Sequence, residues 1–164
     1  MSPAEILKST PFFAEVLDES EIEALATRAR FIGFPAGATP IEEDGPGHSM
    51  FIIVSGQVSI SVRGDDEPIA TLGPGDIFGE MSLLTGARRS ATVTALEPVD
   101  AIEVNKQALA YVLKNSPSLV DRFADMLARR QRELDRSAGG PWGMMRPGHA
   151  ELHQSISSFF GRLI

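Results

Sequence analysis

The spacing of apolar residues divides the chain into a helical beginning, a strand-rich middle and a helical end. Residues 3–29 contain a short helical segment that stops at Pro11, and then a segment in which Asp18 and Glu21 have the spacing of a capping box. From residue 30 to residue 105, β-prone runs alternate with glycine-containing turns, a pattern typical of antiparallel barrels and sandwiches. The runs that predict strands are Arg30–Phe34, Met50–Val54, Val58–Val62, Ile69–Leu72, Ala91–Leu96 and Val99–Val104.

Helical spacing returns over residues 106–136. The segment Asn115-Ser116-Pro117 predicts that one helix ends and that Ser116 caps the next, which runs from about residue 118 to residue 136. A linker rich in glycine and proline is expected at 137–148, followed by a short amphipathic tail at 149–164. The fold class predicted is α+β: an antiparallel, jelly-roll-like β-roll over residues 30–105, flanked by N-terminal helices and two C-terminal helices.

Composition narrows the function classes. The 164 residues include 15 Lys and Arg and 22 Asp and Glu, a net charge of −7, which argues against a surface that binds a nucleic-acid backbone. The absence of cysteine excludes disulfides, thiol catalysis and thiolate zinc sites. The sequence contains neither a signal peptide pattern nor an apolar run of the ~20 residues that span a bilayer.

One stretch, residues 75–93, combines residue types that suit a small anionic ligand. Gly79 precedes a short helical run, so the backbone N–H groups of Gly79, Glu80 and Met81 are expected to point out of a helix N-terminus, where anions bind. Gly86 is expected to turn the chain so that Arg89 returns towards this helix start. Its guanidinium can then bind a phosphate with two hydrogen bonds.

A carboxylate and a hydroxyl in the same stretch add a second kind of recognition. Glu80 would repel a phosphate unless it faces a neutral hydroxyl, and a ribose 2′-hydroxyl meets that requirement. Ser90 adds a hydroxyl beside the phosphate or beside a base folded over it. Arg88 is expected to be a surface arginine, because adjacent residues of an extended segment face opposite ways. The alternatives are an ion pair for Arg89, a simple helix-end carboxylate for Glu80 and a solvated turn hydroxyl for Ser90.

The sequence Phe-Gly-Glu-Met-Ser-Leu-Leu at 78–84, followed by Arg-Ser-Ala-Thr-Val at 89–93, resembles the phosphate-binding cassette of the cyclic nucleotide-binding domain family. The similarity extends over roughly residues 7–136. It implies a non-enzymatic sensor of cAMP or cGMP, with no cofactor besides this ligand, in which the helix after Pro117 acts as a lid. The ligand-binding residues that it implies are Phe78, Gly79, Glu80, Met81, Ser82, Arg89, Ser90 and Ala91 at the phosphoribose, and Ile60, Val62 and Ala70 against the purine.

Within this family, the cassette is most similar to those of bacterial cyclic-nucleotide-regulated channels. This similarity implies that the chain is attached to a membrane channel or to another effector. It also implies a cytoplasmic location, and in the case of a channel the chain would be the cytoplasmic domain of a membrane protein. Family transcription regulators continue into a helix-turn-helix domain, whereas only 28 residues follow Arg136 here. We therefore expect no nucleic-acid partner, and a CRP-like regulator or fragment that lacks its DNA-binding domain is the alternative. The preference between cAMP and cGMP stays open, and the C-terminal helices are candidates for self-association.

Metal chemistry is the remaining alternative class. His149 and His153 lie one helical turn apart but lack the HExxH order, and His48 stands alone in the strand-rich region. A jelly-roll metalloenzyme would usually need several imidazoles there. We therefore predict neither a metal site nor catalytic residues.

Overall fold

The computed structural model of the chain describes residues 1–136 and 149–160. Within these residues the helices and strands follow the predicted order of helices, strands and helices. The elements are α1 (Pro3–Lys8), α2 (Pro11–Ala14), α3 (Glu19–Ala26), β1 (Arg30–Phe34), β2 (Ser49–Ser55), β3 (Val58–Ser61), β4 (Ala70–Leu72), β5 (Ile77–Phe78), α4 (Glu80–Thr85), β6 (Thr92–Ala95), β7 (Val99–Asn105), α5 (Lys106–Asn115), α6 (Leu119–Arg136) and α7 (His149–Phe160).

The strands form two antiparallel sheets. One has the order β1-β7-β2-β5 and the other the order β4-β3-β6. A bridge between Ile41 and Val93 extends the pairing at the edge of the smaller sheet. The side chains between the sheets form a β-roll cluster that includes Phe51, Ile60 and Val93. The predicted α+β class and antiparallel strands are therefore confirmed, with strand ends within two residues of the predicted ones.

Two short elements, α2 near the N-terminus and β5 before the cassette, differ from what the sequence predicts. Pro11, expected to stop a helix, is the first residue of α2, since proline suits the first helical turn, where its missing N–H is not needed. Phe12 and Phe13 then become buried, and their rings lie edge to face at 5.1 Å. The two-residue strand β5 was also not predicted, because so short a run carries no periodicity of its own.

The start of α6 also differs from the prediction. The helix begins at Leu119, and before it the N–H groups of Leu119 and Val120 bond to the carbonyls of Ser116 and Pro117, three residues back. Ser116 therefore opens a tight turn rather than capping the α-helix directly. The predicted linker at 137–148 lies outside the described residues.

A helical cluster forms the second core of the molecule. It contains the buried side chains of α1 to α3 and α5 to α7, together with Leu83 and Leu84 of α4. Glu21 of α3 forms the predicted capping box with Asp18 and also an ion pair with Arg122 of α6, with Nη2 3.1 Å from Oε2. Burial would raise the pKa of Glu21, but hydrogen bonds from the Asp18 N–H, the Ser116 hydroxyl and Arg122 hold this pKa below its ordinary value. The charged carboxylate thus ties α3 to α6.

The helix α7 coincides with the first twelve residues of the predicted amphipathic tail. Its side chains Leu152, Ile156 and Phe160 are buried in the helical cluster, where α7 packs on α6 and α4. Phe159 lies against the end of α4, because a Cβ placed on Gly86 would be 2.4 Å from its ring. The apolar face of α7 is thus covered by the same chain, while Leu163 lies outside the described residues.

None of the helices in residues 1–136 and 149–160 is long and apolar enough to cross a membrane.

Candidate functional site

The short helix α4 begins at the point that the sequence predicts. Gly79 is its N-terminal cap with φ +88°, and Gly86 is its C-terminal cap with φ +75°. Both values lie in the left-handed region, which glycine adopts without the steric penalty of a side chain. The N–H groups of Gly79, Glu80 and Met81 belong to the cap and first turn of this helix. The cassette therefore has the predicted form of a tight turn, one short helix and a second tight turn.

Arg89 returns to the start of this helix. Its Nη1 donates a hydrogen bond to the Gly79 carbonyl at 3.0 Å, and its Nη2 donates one to the Ser49 carbonyl of β2 at 2.7 Å. The residue is only 6% exposed. Arg88 is exposed and donates to the Asp44 carbonyl, so the two arginines face different ways as predicted.

Burial defines the electrostatics of Arg89. Loss of solvent lowers the pKa of the guanidinium, while the negative charge of Glu80 acts in the opposite direction. An arginine keeps its proton in spite of such a shift. The hydrogen bonds of its guanidinium to Gly79 and Ser49 are both to neutral carbonyl oxygens. A buried cation held in this way attracts an anion strongly, because the surrounding medium screens its charge poorly.

The other predicted cassette residues lie in different environments. Glu80 is half-buried at the first position of α4, Met81 is half-buried beside it, and Ser82 is buried. Ser90 is exposed immediately after Arg89. Phe78 and Ala91 are buried in the β-roll cluster, where Phe78 stacks on Phe51 at 5.1 Å.

The three residues expected against a purine lie together on the smaller sheet. Ile60 of β3 pairs in register with Ala70 of β4, and both belong to or pack against the β-roll cluster. Val62, just after β3, packs against the same cluster. Ile41 joins this group to the cassette, since its Cδ1 would lie 2.9 Å from a Cβ on Gly79. The fold thus brings the predicted purine and phosphate residues to one region.

The helix expected to act as a lid has a different neighbourhood. The buried side chains of α6 up to Ala128 belong to the helical cluster, whereas Ile60, Val62 and Ala70 belong to the β-roll cluster. In this conformation α6 is therefore fixed to the N-terminal helices and to α7.

The loop of residues 42–47 also belongs to the site, although nothing in its sequence indicates this. This loop contacts Arg89 through Asp44, Gly45 and Gly47. Its sequence, Glu-Glu-Asp-Gly-Pro-Gly, predicts a turn and nothing about the partner of the turn. The contact joins Arg89 to Asp44 and Gly45, which are far from it in the sequence, so no local pattern could have identified it.

A cleft lies elsewhere on α4. It has a volume of about 560 Å³ and lies between the C-terminal end of α4 and α7, with Thr85, Gly86 and Phe159 in its wall. This is the opposite end of α4 from Gly79. Among the described residues, no group of three or more His, Asp or Glu side chains could hold a metal ion.

These observations define the class of protein: a β-roll with a buried arginine at the cap of a short helix, suited to bind a small anionic ligand. The sequence profile of the family described as Cyclic nucleotide-binding domain matches residues 31–116. The chain therefore belongs to the cyclic nucleotide-binding domain family, and it is a ligand-binding regulatory domain.

Relatives with different effectors match this chain, among them a transcriptional regulator and a channel. A CRP-like cAMP-activated global transcriptional regulator of Mycobacterium tuberculosis is 32% identical over 136 residues, which cover 81% of this chain and 60% of the relative. A cyclic nucleotide-gated potassium channel of Mesorhizobium japonicum is 32% identical over 128 residues, which cover 77% of this chain and 34% of the channel. The chain thus spans at most about three-fifths of the length of these relatives, and identity does not distinguish the two kinds of effector.

A solved structure has the same fold. The N-terminal domain of a transcriptional regulator from Streptomyces coelicolor A3(2) superimposes with a TM-score of 0.67 at 26% identity, and the match covers 82% of this chain and 96% of that domain.

Proposed function

We propose that the chain is a non-enzymatic sensor of a cyclic nucleotide, with cAMP as its ligand. The observation that carries the proposal is Arg89, a buried guanidinium beside the first-turn N–H groups of α4. A cyclic phosphodiester has one negative charge and two free oxygens, so it can accept hydrogen bonds from both groups at once. The relatives named for cAMP support the choice of base.

The ribose is assigned to Glu80. Its carboxylate is half-buried at the start of α4, close enough for its charge to act on Arg89. A carboxylate so close to a bound phosphate requires a hydrogen-bond donor as partner, and the 2′-hydroxyl is the donor that a ribose offers. Ile60, Val62 and Ala70 supply the apolar surface for the purine.

Calorimetric titration tests the proposal. We expect cAMP to bind the chain with one site, and 5′-AMP, which has the same base and sugar but an open phosphate dianion, to bind at least about tenfold more weakly. cGMP is the second ligand to titrate. The exposed Ser90 hydroxyl can form a hydrogen bond with a guanine, and it does not exclude an adenine. A chain that binds neither cyclic nucleotide would contradict the proposal.

The role of Glu80 is tested by removing its partner from the ligand. We expect 2′-deoxy-cAMP to bind the wild-type chain roughly ten- to a hundredfold more weakly than cAMP, the effect of one hydrogen bond to a charged group. In Glu80→Ala the two ligands should bind equally. If Glu80→Ala still discriminates between them, the assignment of the 2′-hydroxyl is wrong.

The output is proposed to pass through the C-terminal helices to an attached effector. A ligand shifts a conformational equilibrium only by its different affinity for the two states. α7 contacts both α4, which carries the cassette, and α6, so it is placed to sense a change at either helix. We propose a membrane channel as this effector, with the sensor on its cytoplasmic side.

A transcription regulator is the second candidate, favoured by the regulator relatives at equal identity. The net charge of −7 opposes direct DNA contact by this chain. A gel shift of duplex DNA by the chain in the presence of cAMP, lost at high salt, would favour the regulator.

A further inference from the structure

The 42–47 loop holds the backbone of Arg89 from both sides. The Asp44 N–H donates to the Arg89 carbonyl at 2.7 Å, and the Arg89 N–H donates to the Gly45 carbonyl at 2.9 Å. Both polar groups of the Arg89 backbone are thus satisfied by this loop. The position of the Arg89 Cα is therefore set by the loop as well as by its own chain neighbours.

Gly47 lies against the guanidinium itself. A Cβ placed on Gly47 would be 2.8 Å from both Cζ and Nε of Arg89, and 2.3 Å from the Cβ of Ser82 in α4. Contacts this short do not occur between real side chains. Gly47 is not among the residues with positive φ, so glycine is required here for space and not for backbone conformation.

The side chains of Glu43 and Asp44 in the loop have another partner. The Asp44 carboxylate accepts a hydrogen bond from Arg63 Nη1 at 2.9 Å, and the Glu43 carboxylate accepts one from the Arg63 backbone N–H at 3.0 Å. The contacts that the loop makes with Arg89 are those of backbone atoms. The loop therefore contacts Arg89 through its backbone, while these two carboxylates bind Arg63.

We propose that Gly47 is a positioning residue for Arg89: it lets the 42–47 loop close over the guanidinium and fixes its orientation before a cyclic nucleotide arrives. This inference rests on the proposed function. Orienting the side chain in the free protein removes an ordering cost from binding, so the affinity should depend on Gly47 even though the residue carries no group that can bind the ligand.

The first test compares two glycine variants in a cAMP titration. Gly47→Ala should weaken cAMP binding roughly tenfold. This is less than the loss of a hydrogen bond to a charged group, because the guanidinium is displaced and not removed. Gly73→Ala is the matched control, because a Cβ there would meet only the Gln57 side chain, at 3.9 Å. The Gly73→Ala variant should bind cAMP with the affinity of the wild type. Wild-type affinity in Gly47→Ala would overturn the proposal.

A double-mutant cycle separates positioning from general damage. In an Arg89→Leu background, Gly47→Ala should cause less than about a twofold further loss, because no guanidinium remains to be displaced. An equal tenfold loss in that background would show that Gly47 acts in another way. If Gly47→Ala folds poorly, the double variant Gly47→Ala/Ser82→Gly replaces it. This variant removes the clash with α4 and keeps the clash with Arg89, and its reference is Ser82→Gly alone.

A measurement without ligand distinguishes this inference from the proposed function. The Arg89 Nε–H signal can be identified by nuclear magnetic resonance as the side-chain signal lost in Arg89→Leu. It should shift in Gly47→Ala and stay in place in Gly73→Ala, whereas an unchanged signal in both variants would overturn the positioning role. If the wild-type chain binds neither nucleotide, the proposed function fails and this signal still tests the contact.

Discussion

Replacing Arg89 by leucine should weaken cAMP binding by about a hundredfold or more. The phosphate would lose hydrogen bonds to a charged donor, each worth about 1.5–3 kcal/mol, in a buried site where water replaces them poorly. Calorimetry at a temperature well below the unfolding transition of the variant measures this loss. The position matters as much as the charge, because the guanidinium is only 6% exposed and already oriented by two carbonyls.

The controls for this prediction address charge and stability separately. Arg30→Leu removes an exposed arginine from β1, where it pairs with Glu103, and should leave cAMP binding unchanged. Arg89→Lys keeps the positive charge but loses the planar fork, so it should bind with intermediate affinity. Leucine also leaves the Gly79 and Ser49 carbonyls without their donor, which should destabilise the fold by about 1–3 kcal/mol. Wild-type affinity in Arg89→Leu would remove the phosphate site from this position.

The predictable part of the site is the part encoded locally. Gly79, Gly86 and Arg89 lie within one short stretch, and the turns and helix between them follow from the conformations that glycine permits. Neighbouring residues therefore encode the turns and the helix between the cap and the arginine, and the 42–47 loop adds the two hydrogen bonds that hold the Arg89 backbone. The burial of Arg89 could not be predicted in the same way, because Gly47 and Ser49, which contact its side chain, lie in another part of the sequence.

The same distinction applies to the fold. Val58, Ile60 and Val62 alternate with Ser59 and Ser61, which predicts a strand with one apolar and one polar face. The alternation does not predict that Ser59 is buried as well, nor that β3 pairs with β4 and β6. A proline can follow the end of one helix or begin the next. At Pro11 the second outcome occurs, because the helix that it begins buries Phe12 and Phe13. Tertiary contacts thus override the local preference where an element is only a few residues long.

Charge also acts at two scales in this protein. The net charge of −7 describes the whole surface and opposes a polyanionic partner. In the proposed site, we expect the affinity for one small phosphate to depend instead on the buried cation of Arg89 and on N–H groups at one helix end. The two statements do not conflict, because solvent and salt screen the surface charges from one another more strongly than they screen a buried site.

The helix α7 is the element whose role the sequence left most open. Its apolar face could have served a partner, a second copy or its own chain. In the structure Leu152, Ile156 and Phe160 pack into the helical cluster, and Lys106 of α5 lies 3.6 Å above the ring centroid of Phe159. The contact of Phe159 with Gly86 extends this packing to the C-terminal cap of α4. We therefore expect α7 to contribute to the stability of the sensor.

Ile156→Ala should lower the free energy of unfolding by about 2–5 kcal/mol, the range found for truncating a buried isoleucine or leucine, because the side chain is 0% exposed. Urea denaturation followed by circular dichroism measures the change. Gln154→Ala, an exposed position on the same helix, should change it by less than about 0.5 kcal/mol. If both variants unfold like the wild type, α7 does not stabilise the domain in solution, and a partner or a second copy becomes the expected occupant of its apolar face.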